Sequence, residues 1–184
     1  MEETYCVENC KKCPRLVENR TQIVNGTGPM DAELLLVGEA PGENEDSSGE
    51  PFVGRSGTLL DEALEKEEQS RDSIRITNTV RCRPPDNSDP TQKERENCYD
   101  FLKEEILSVN PNLIVCLGKV PSEYLLQRPV KVTEEFGTVS NPELEGIEAY
   151  DCIISIHPAL ALYQGSYREN FYDIVSRATQ VADL

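Results

Sequence analysis

The chain has 184 residues, with 34 acidic against 18 basic, a formal charge of −16 and a pI near 4.4. So anionic a surface argues against ordinary nucleic-acid binding, which is driven by counterions released when Lys and Arg neutralise phosphates, and it equally suits a halophilic protein whose carboxylate repulsion is screened within a few ångströms. Length and an even composition predict one domain over residues 1–184; there is no run near the roughly 20 apolar residues of a membrane span and no basic-then-apolar signal in MEETYC, so a cytoplasmic protein with reduced, metal-binding cysteines is expected.

Residues 5–20 carry Cys6, Cys10 and Cys13 ahead of Pro14 and read as a helical turn that presents thiols. Gly26, Gly28 and Pro29 then make a loop. The apolar run Leu34-Leu35-Leu36-Val37 is a buried strand that stops at Gly38 and empties into a loop rich in glycine and carboxylates. Such a loop lies at the carboxyl edge of a parallel sheet, where open α/β folds bind ligands. A helix is expected from about Ser56, since Leu59, Leu60, Ala63 and Leu64 share one face. Residues 74–80 form a second strand, which Arg81-Cys82-Arg83-Pro84-Pro85 must end, because two prolines extend neither a helix nor a central strand.

Thr91 and Glu94 make a capping box that opens a helix running to about Val109. Leu113-Ile114-Val115-Cys116-Leu117 is a third strand, ended by Gly118 ahead of a short helix near residues 122–126. Residues 128–150 read as irregular or partly β. A fourth strand at residues 152–156 empties into His157-Pro158-Ala159, and a helix over about 167–181 closes the chain. Strands alternating with helices predict a three-layer α/β/α sandwich around a mainly parallel sheet.

Cys10-x2-Cys13, Cys82 and Cys98 make a four-thiolate set at loop and helix ends, suited to a [4Fe-4S] cluster or to zinc, with Cys6 as an alternative to Cys10. Cys116 and Cys152 sit inside apolar strands and read as small core residues. His157, the only histidine, belongs at the carboxyl edge beside the Gly38 loop, where an imidazole can hydrogen-bond an oxygen on which negative charge develops. Glu39, one residue past the strand, stands out among the carboxylates of that loop. Phe52 reads as an exposed-loop aromatic, either a local plug or a face for stacking on a planar base. Asn78 offers an amide suited to the edge of a nucleobase or to capping a turn.

Four motifs follow in order: Gly38-Glu39-Ala40-Pro41-Gly42, Pro51-Phe52-Val53-Gly54-Arg55-Ser56-Gly57, Thr77-Asn78-Thr79-Val80-Arg81-Cys82-Arg83-Pro84-Pro85 and His157-Pro158-Ala159. Together they resemble the family 4 uracil-DNA glycosylases, the iron–sulfur enzymes of thermophilic bacteria and archaea. The resemblance implies a structural [4Fe-4S] cluster on Cys10, Cys13, Cys82 and Cys98, with zinc the alternative occupant. It also implies excision of uracil from single- or double-stranded DNA, leaving an abasic site; a monomer is the default expectation. On that likeness Phe52 stacks on the flipped uracil, Asn78 reads its polar edge, His157 faces O2, and Glu39 with the Ala40 backbone lies beside the glycosidic bond. Either Glu39 or Glu45 positions the attacking water.

The chain departs from that family in two places. After His157-Pro158-Ala159 come Leu160, Ala161, Leu162 and Tyr163, where the family has an aromatic, two leucines and a phosphate-contacting arginine. Glu134-Glu135-Phe136-Gly137 replaces a basic stretch before the last strand. A wedge into the duplex falls to Leu160 or Leu162.

Overall fold

The computed structural model describes residues 5–184. Five strands form one sheet in the order β2-β1-β3-β5-β4. They are β1 (Leu34–Gly38), β2 (Arg75–Asn78), β3 (Leu113–Leu117), β4 (Val139–Ser140) and β5 (Cys152–Ser155). All pairings are parallel except β4 with β5, so the expected architecture holds.

The apolar runs of β1 and β3 are continuous because both faces of the sheet are covered. Leu34 and Leu36 of β1 and Val115 of β3 pack with α3 (Arg55–Lys66) and α8 (Arg168–Val181) through Leu60, Leu64, Phe171 and Val175. The alternate residues Leu35, Val37, Ile114 and Cys116 face α4 (Gln92–Val109) and α5 (Lys119–Leu126) through Leu102, Ile106 and Leu125. Cys116 and Cys152 lie in this second layer as core residues.

The sheet reverses its winding between β1 and β3. From β1 the chain steps outward to β2, and from β3 it steps the other way to β5. The crevice beyond the carboxyl ends of β1 and β3 is therefore a topological switch point, where such sheets hold ligands.

Three local differences from the sequence reading have physical reasons. The loop after β1 contains a helix, α2 (Glu43–Ser48), whose first-turn Glu43, Glu45 and Asp46 suit the positive end of the helix dipole and which ends on Gly49 at φ 82°. The second strand is shorter than residues 74–80, because from Thr79 the chain turns to hydrogen-bond the backbone around Gly38 and Glu39. Residues 128–150 hold α6 (Val132–Glu135) and the two-residue β4.

Two arginines of the β2 region are buried. Arg75 and Arg81 both bind Glu105 of α4, at 2.7 and 2.6 Å, and all three side chains are almost without solvent exposure. This pairing ties β2 to α4 beneath the loop that ends in Cys82.

Candidate active site

A cavity of about 510 Å³ opens at the switch point. Glycines at the ends of both central strands lie against residues that line it. A Cβ on Gly38 would stand 2.4 Å from Asn78 Oδ1 and 2.7 Å from the Phe52 ring, and one on Gly118 would stand 2.9 Å from His157 Cβ. Three of the sequence-predicted site residues therefore close over backbone that carries no side chain. Gly118 itself was visible in the sequence only as the end of a strand.

Phe52 is buried, contrary to the exposed position expected from its loop, and its ring centroid lies 6.1 Å from that of His157. Its φ of 55° is in the left-handed region, unfavourable for a residue with a Cβ, so the surrounding structure has to hold it. Arg71 does so from outside the motif. It donates to the carbonyls of Pro51 and Phe52 and is itself fixed by Asp61 at 2.6 Å. Gly57 permits the close approach, since a Cβ there would fall 1.6 Å from the Phe52 carbonyl oxygen.

The two glutamates left open by the sequence have different surroundings. Glu45 Oε1 accepts from the backbone N–H groups of Val53 and Gly54 at 3.1 and 3.0 Å, and Oε2 accepts from that of Gly42 at 3.1 Å. Its carboxylate clamps the two halves of the loop together. Among the described residues no backbone N–H donates to the Glu39 carboxylate. Burial above all, and then the adjacent Asp89 carboxyl that shares a hydrogen bond with it, push Glu39 up to about 7, against the opposing pull of Arg95. Asp89 was not singled out in the sequence, because nothing in the spacing of residues 39 and 89 announces their contact.

His157 caps α7 (Pro158–Tyr163), and its Nδ1 accepts the Ala159 N–H at 3.0 Å. The ring proton is therefore on Nε2. One part of the ring faces the cavity while protein surrounds the rest, and this burial lowers the imidazole to about 4 despite the opposing influence of Glu45. At neutral pH the side chain is an uncharged N–H donor. Asn78, at the end of β2 and 3% exposed, contributes its amide to the same wall, with Ala40, Ser56, Asn87 and Tyr163 around the rest. Leu162, expected as a possible wedge, packs against the core instead, and Leu160 is half-buried.

The thiols assemble on the other side of the β1 loop. Cys13, Cys82 and Cys98 pack with Leu16 and Val80 in one small apolar cluster. Cys10 joins them through Arg20, which donates to the Cys82 thiol at 2.9 Å and to the Cys10 carbonyl at 2.6 Å. Cys6 is exposed, which leaves Cys10 as the better-placed alternative. Asn97 Nδ2 approaches Cys13 Sγ at 3.4 Å, and the Arg81 backbone N–H bonds the Cys98 thiol. Burial pushes Cys98 up to about 11. Among the described residues no three His, Cys, Asp or Glu side chains converge in the manner of a single-ion site.

The thiol segment is linked to the cavity. The backbone N–H of Thr21 donates to both oxygens of the buried Asp46 at 2.9 Å, so the chain following α1 (Pro14–Asn19) is anchored on α2.

Residues 25–178 match the model of the uracil DNA glycosylase superfamily. The chain belongs to the uracil-DNA glycosylase superfamily. Within it, the chain is 40% identical over 171 residues to the type-4 uracil-DNA glycosylase of Archaeoglobus fulgidus, covering 90% of this chain and 84% of that one. It is 40% identical over 157 residues to the type-4 enzyme of Thermotoga maritima, covering 85% and 79%. A type-5 uracil-DNA glycosylase of Pyrobaculum aerophilum is more distant, 28% identical over 181 residues, with 82% and 78% covered. The described superfamily fold thus spans both the cavity and two of the four candidate ligand cysteines, Cys82 and Cys98. No helix among the described residues is long and apolar enough to cross a membrane.

Proposed function

We propose that this superfamily member is a monofunctional uracil-DNA glycosylase of base-excision repair, which hydrolyses the N-glycosidic bond of deoxyuridine and leaves an abasic site in an uncut strand. The observation that carries this reading is the tautomer of His157, a neutral imidazole with Nε2–H free to donate beside Phe52 and Asn78. Departing uracil gathers negative charge on O2, and a fixed donor that needs no proton transfer stabilises that anion in a low-dielectric site. The Phe52 ring supplies a stacking wall and Asn78 an amide for the base's polar edge. Extrusion of the base costs a few kcal/mol, least where uracil is mispaired or single-stranded.

In this reading Glu39 faces the sugar. Its ionised carboxylate stabilises the oxocarbenium-like carbon and orients the attacking water, while Glu45, spent on three backbone amides, keeps the Phe52 loop in place. The water proton leaves to the carboxylate as the C–O bond forms, and the uracil anion departs with the bonding pair.

Cys10, Cys13, Cys82 and Cys98 suit a [4Fe-4S] cluster, being all-thiol donors with N–H groups directed at three of them, and zinc is the alternative occupant. If bound, such a group would fasten residues 10–13 through Cys82 to the loop before α4 and through Cys98 to α4 itself; no step of the hydrolysis uses it. Residues 1–184 are read as one domain, acting as a monomer in the cytoplasm, and the acidic surface as a halophilic adaptation.

The test is incubation with a single-stranded uracil-containing oligonucleotide across a potassium chloride series reaching molar concentrations, followed by alkali. Strand breaks that appear only after alkali support the reading, and their persistence at high salt supports the halophilic part. Oligonucleotide left intact at every salt by cluster-loaded protein would refute it.

A further inference from the structure

We propose that Tyr163 is a DNA-contact residue, whose ring stacks on the base next to the extruded uracil and supplies a salt-insensitive part of DNA binding. The inference rests on the glycosylase reading and adds a substrate contact at the rim of the uracil pocket.

Tyr163 ends α7, the helix whose cap is His157, and stands at the rim of the cavity. It is 80% exposed, more than any other large apolar side chain that reaches the surface among the described residues. Its neighbours in α7 are committed elsewhere: Ala161 is buried and Leu162 packs against the core. Among the described residues nothing hydrogen-bonds the Tyr163 hydroxyl. An aromatic ring held in water at the mouth of a pocket, on a helix whose opposite face is fixed by the core, contributes nothing to folding that would explain its position.

The electrostatics of the pocket say what such a ring is for. Neither lysine nor arginine lines the cavity among the described residues, whereas two glutamates do. The nearby Arg83 is partly engaged by Asn87 at 2.8 Å and Glu43 at 3.9 Å. A strand entering here gains little from counterion release, so its affinity must come from contacts that need no charge. Base–aromatic stacking is such a contact, tolerant of sequence because every base has a π-face. The partner is a nucleobase rather than another protein, because the ring stands at the mouth of the cavity that Phe52, Asn78 and His157 line, among polar side chains such as Ser56 and Asn87.

The experiment uses full-length, cluster-loaded protein and single-stranded oligonucleotides carrying 2-aminopurine on one side or the other of the uracil. Wild type, Tyr163→Ala and Tyr163→Phe are compared for aminopurine emission on binding and for KM of uracil release, at low and at molar potassium chloride. Expected are a quench with wild type and Tyr163→Phe on one of the two flanks, its loss with Tyr163→Ala, and a KM increase of about tenfold or more in Tyr163→Ala. That factor should be equal at both salts, because stacking releases no counterions. Tyr163→Ala matching wild type in quench and KM, or a defect confined to low salt, would overturn the proposal. Absence of uracil release by wild type would instead refute the glycosylase reading, and the emission still reports whether Tyr163 touches a base.

Discussion

Glu39 offers the sharpest quantitative prediction, because its environment fixes the pH at which it can act. The carboxyl is raised to about 7, first by burial and then by Asp89, with Arg95 opposing. If the ionised form assists bond cleavage, the active fraction is about one-tenth at pH 6, half at pH 7 and nine-tenths at pH 8. Single-turnover uracil release should therefore rise about tenfold from pH 6 to pH 8. His157, lowered to about 4, stays neutral through that window and adds no second limb. Asp89→Asn removes one of the two raising causes, so the midpoint should move down while remaining above the ordinary carboxylate value, since burial is the larger cause. Glu39→Gln should abolish the pH dependence together with most of the activity. The same shift appears in stability with a definite sign. The folded state holds its proton above the pH at which the unfolded chain releases it, so Glu39 costs nothing below about pH 4.5 and destabilises progressively up to about pH 7. Glu39→Gln should then melt higher than wild type at pH 8 and equally at low pH. A wild-type rate that is flat from pH 6 to pH 8, with Glu39→Gln still inactive, would refute the burial argument.

Other perturbations separate the roles of neighbouring groups. Glu45→Ala leaves the N–H groups of Gly42, Val53 and Gly54 without their acceptor, so KM should rise and the melting temperature fall together; a drop in kcat alone, measured by steady-state kinetics beside calorimetry, would mean that Glu45 positions water instead. Glu105→Ala strands two buried guanidinium groups and should cost about 3–5 kcal/mol by urea denaturation, where a loss below about 1 kcal/mol would contradict the burial of Arg75 and Arg81. Cys10→Ser and Cys82→Ser should each lose the visible absorption of the cluster and thermal stability in parallel, whereas Cys6→Ser should keep both; loss with Cys6→Ser and retention with Cys10→Ser would exchange Cys6 for Cys10 in the ligand set.

The parts of the fold legible in the sequence were those written in periodicity and capping. The runs at Leu34 and Leu113 marked buried strands because both faces of a parallel sheet are covered, and Thr91 with Glu94 marked the start of α4 to the residue. The candidate site was legible where glycine or histidine followed such a strand. What the sequence could not show depended on contacts between distant residues. Arg71 holds the strained Phe52 from 19 positions away, which also explains why an aromatic in a glycine-rich loop is buried. Asp89 reaches Glu39 across the loop before α4, and Glu105 neutralises two arginines that looked like ordinary members of a strand and its end. Glu39 stood out by its position after the strand, but the roles of Glu39 and Glu45 separate only through the N–H groups that point at Glu45 and the Asp89 carboxyl beside Glu39.

The most direct measurement is chromatographic detection of free uracil in a single turnover at neutral pH, wild type against His157→Ala, each shown by melting and visible absorption to be folded and cluster-loaded. The expected result is stoichiometric uracil from wild type and a rate lower by about a hundredfold or more in the variant, the usual cost of one lost donor to a developing anion. Equal rates from the two proteins would contradict the assignment of His157 as the group that receives uracil's charge.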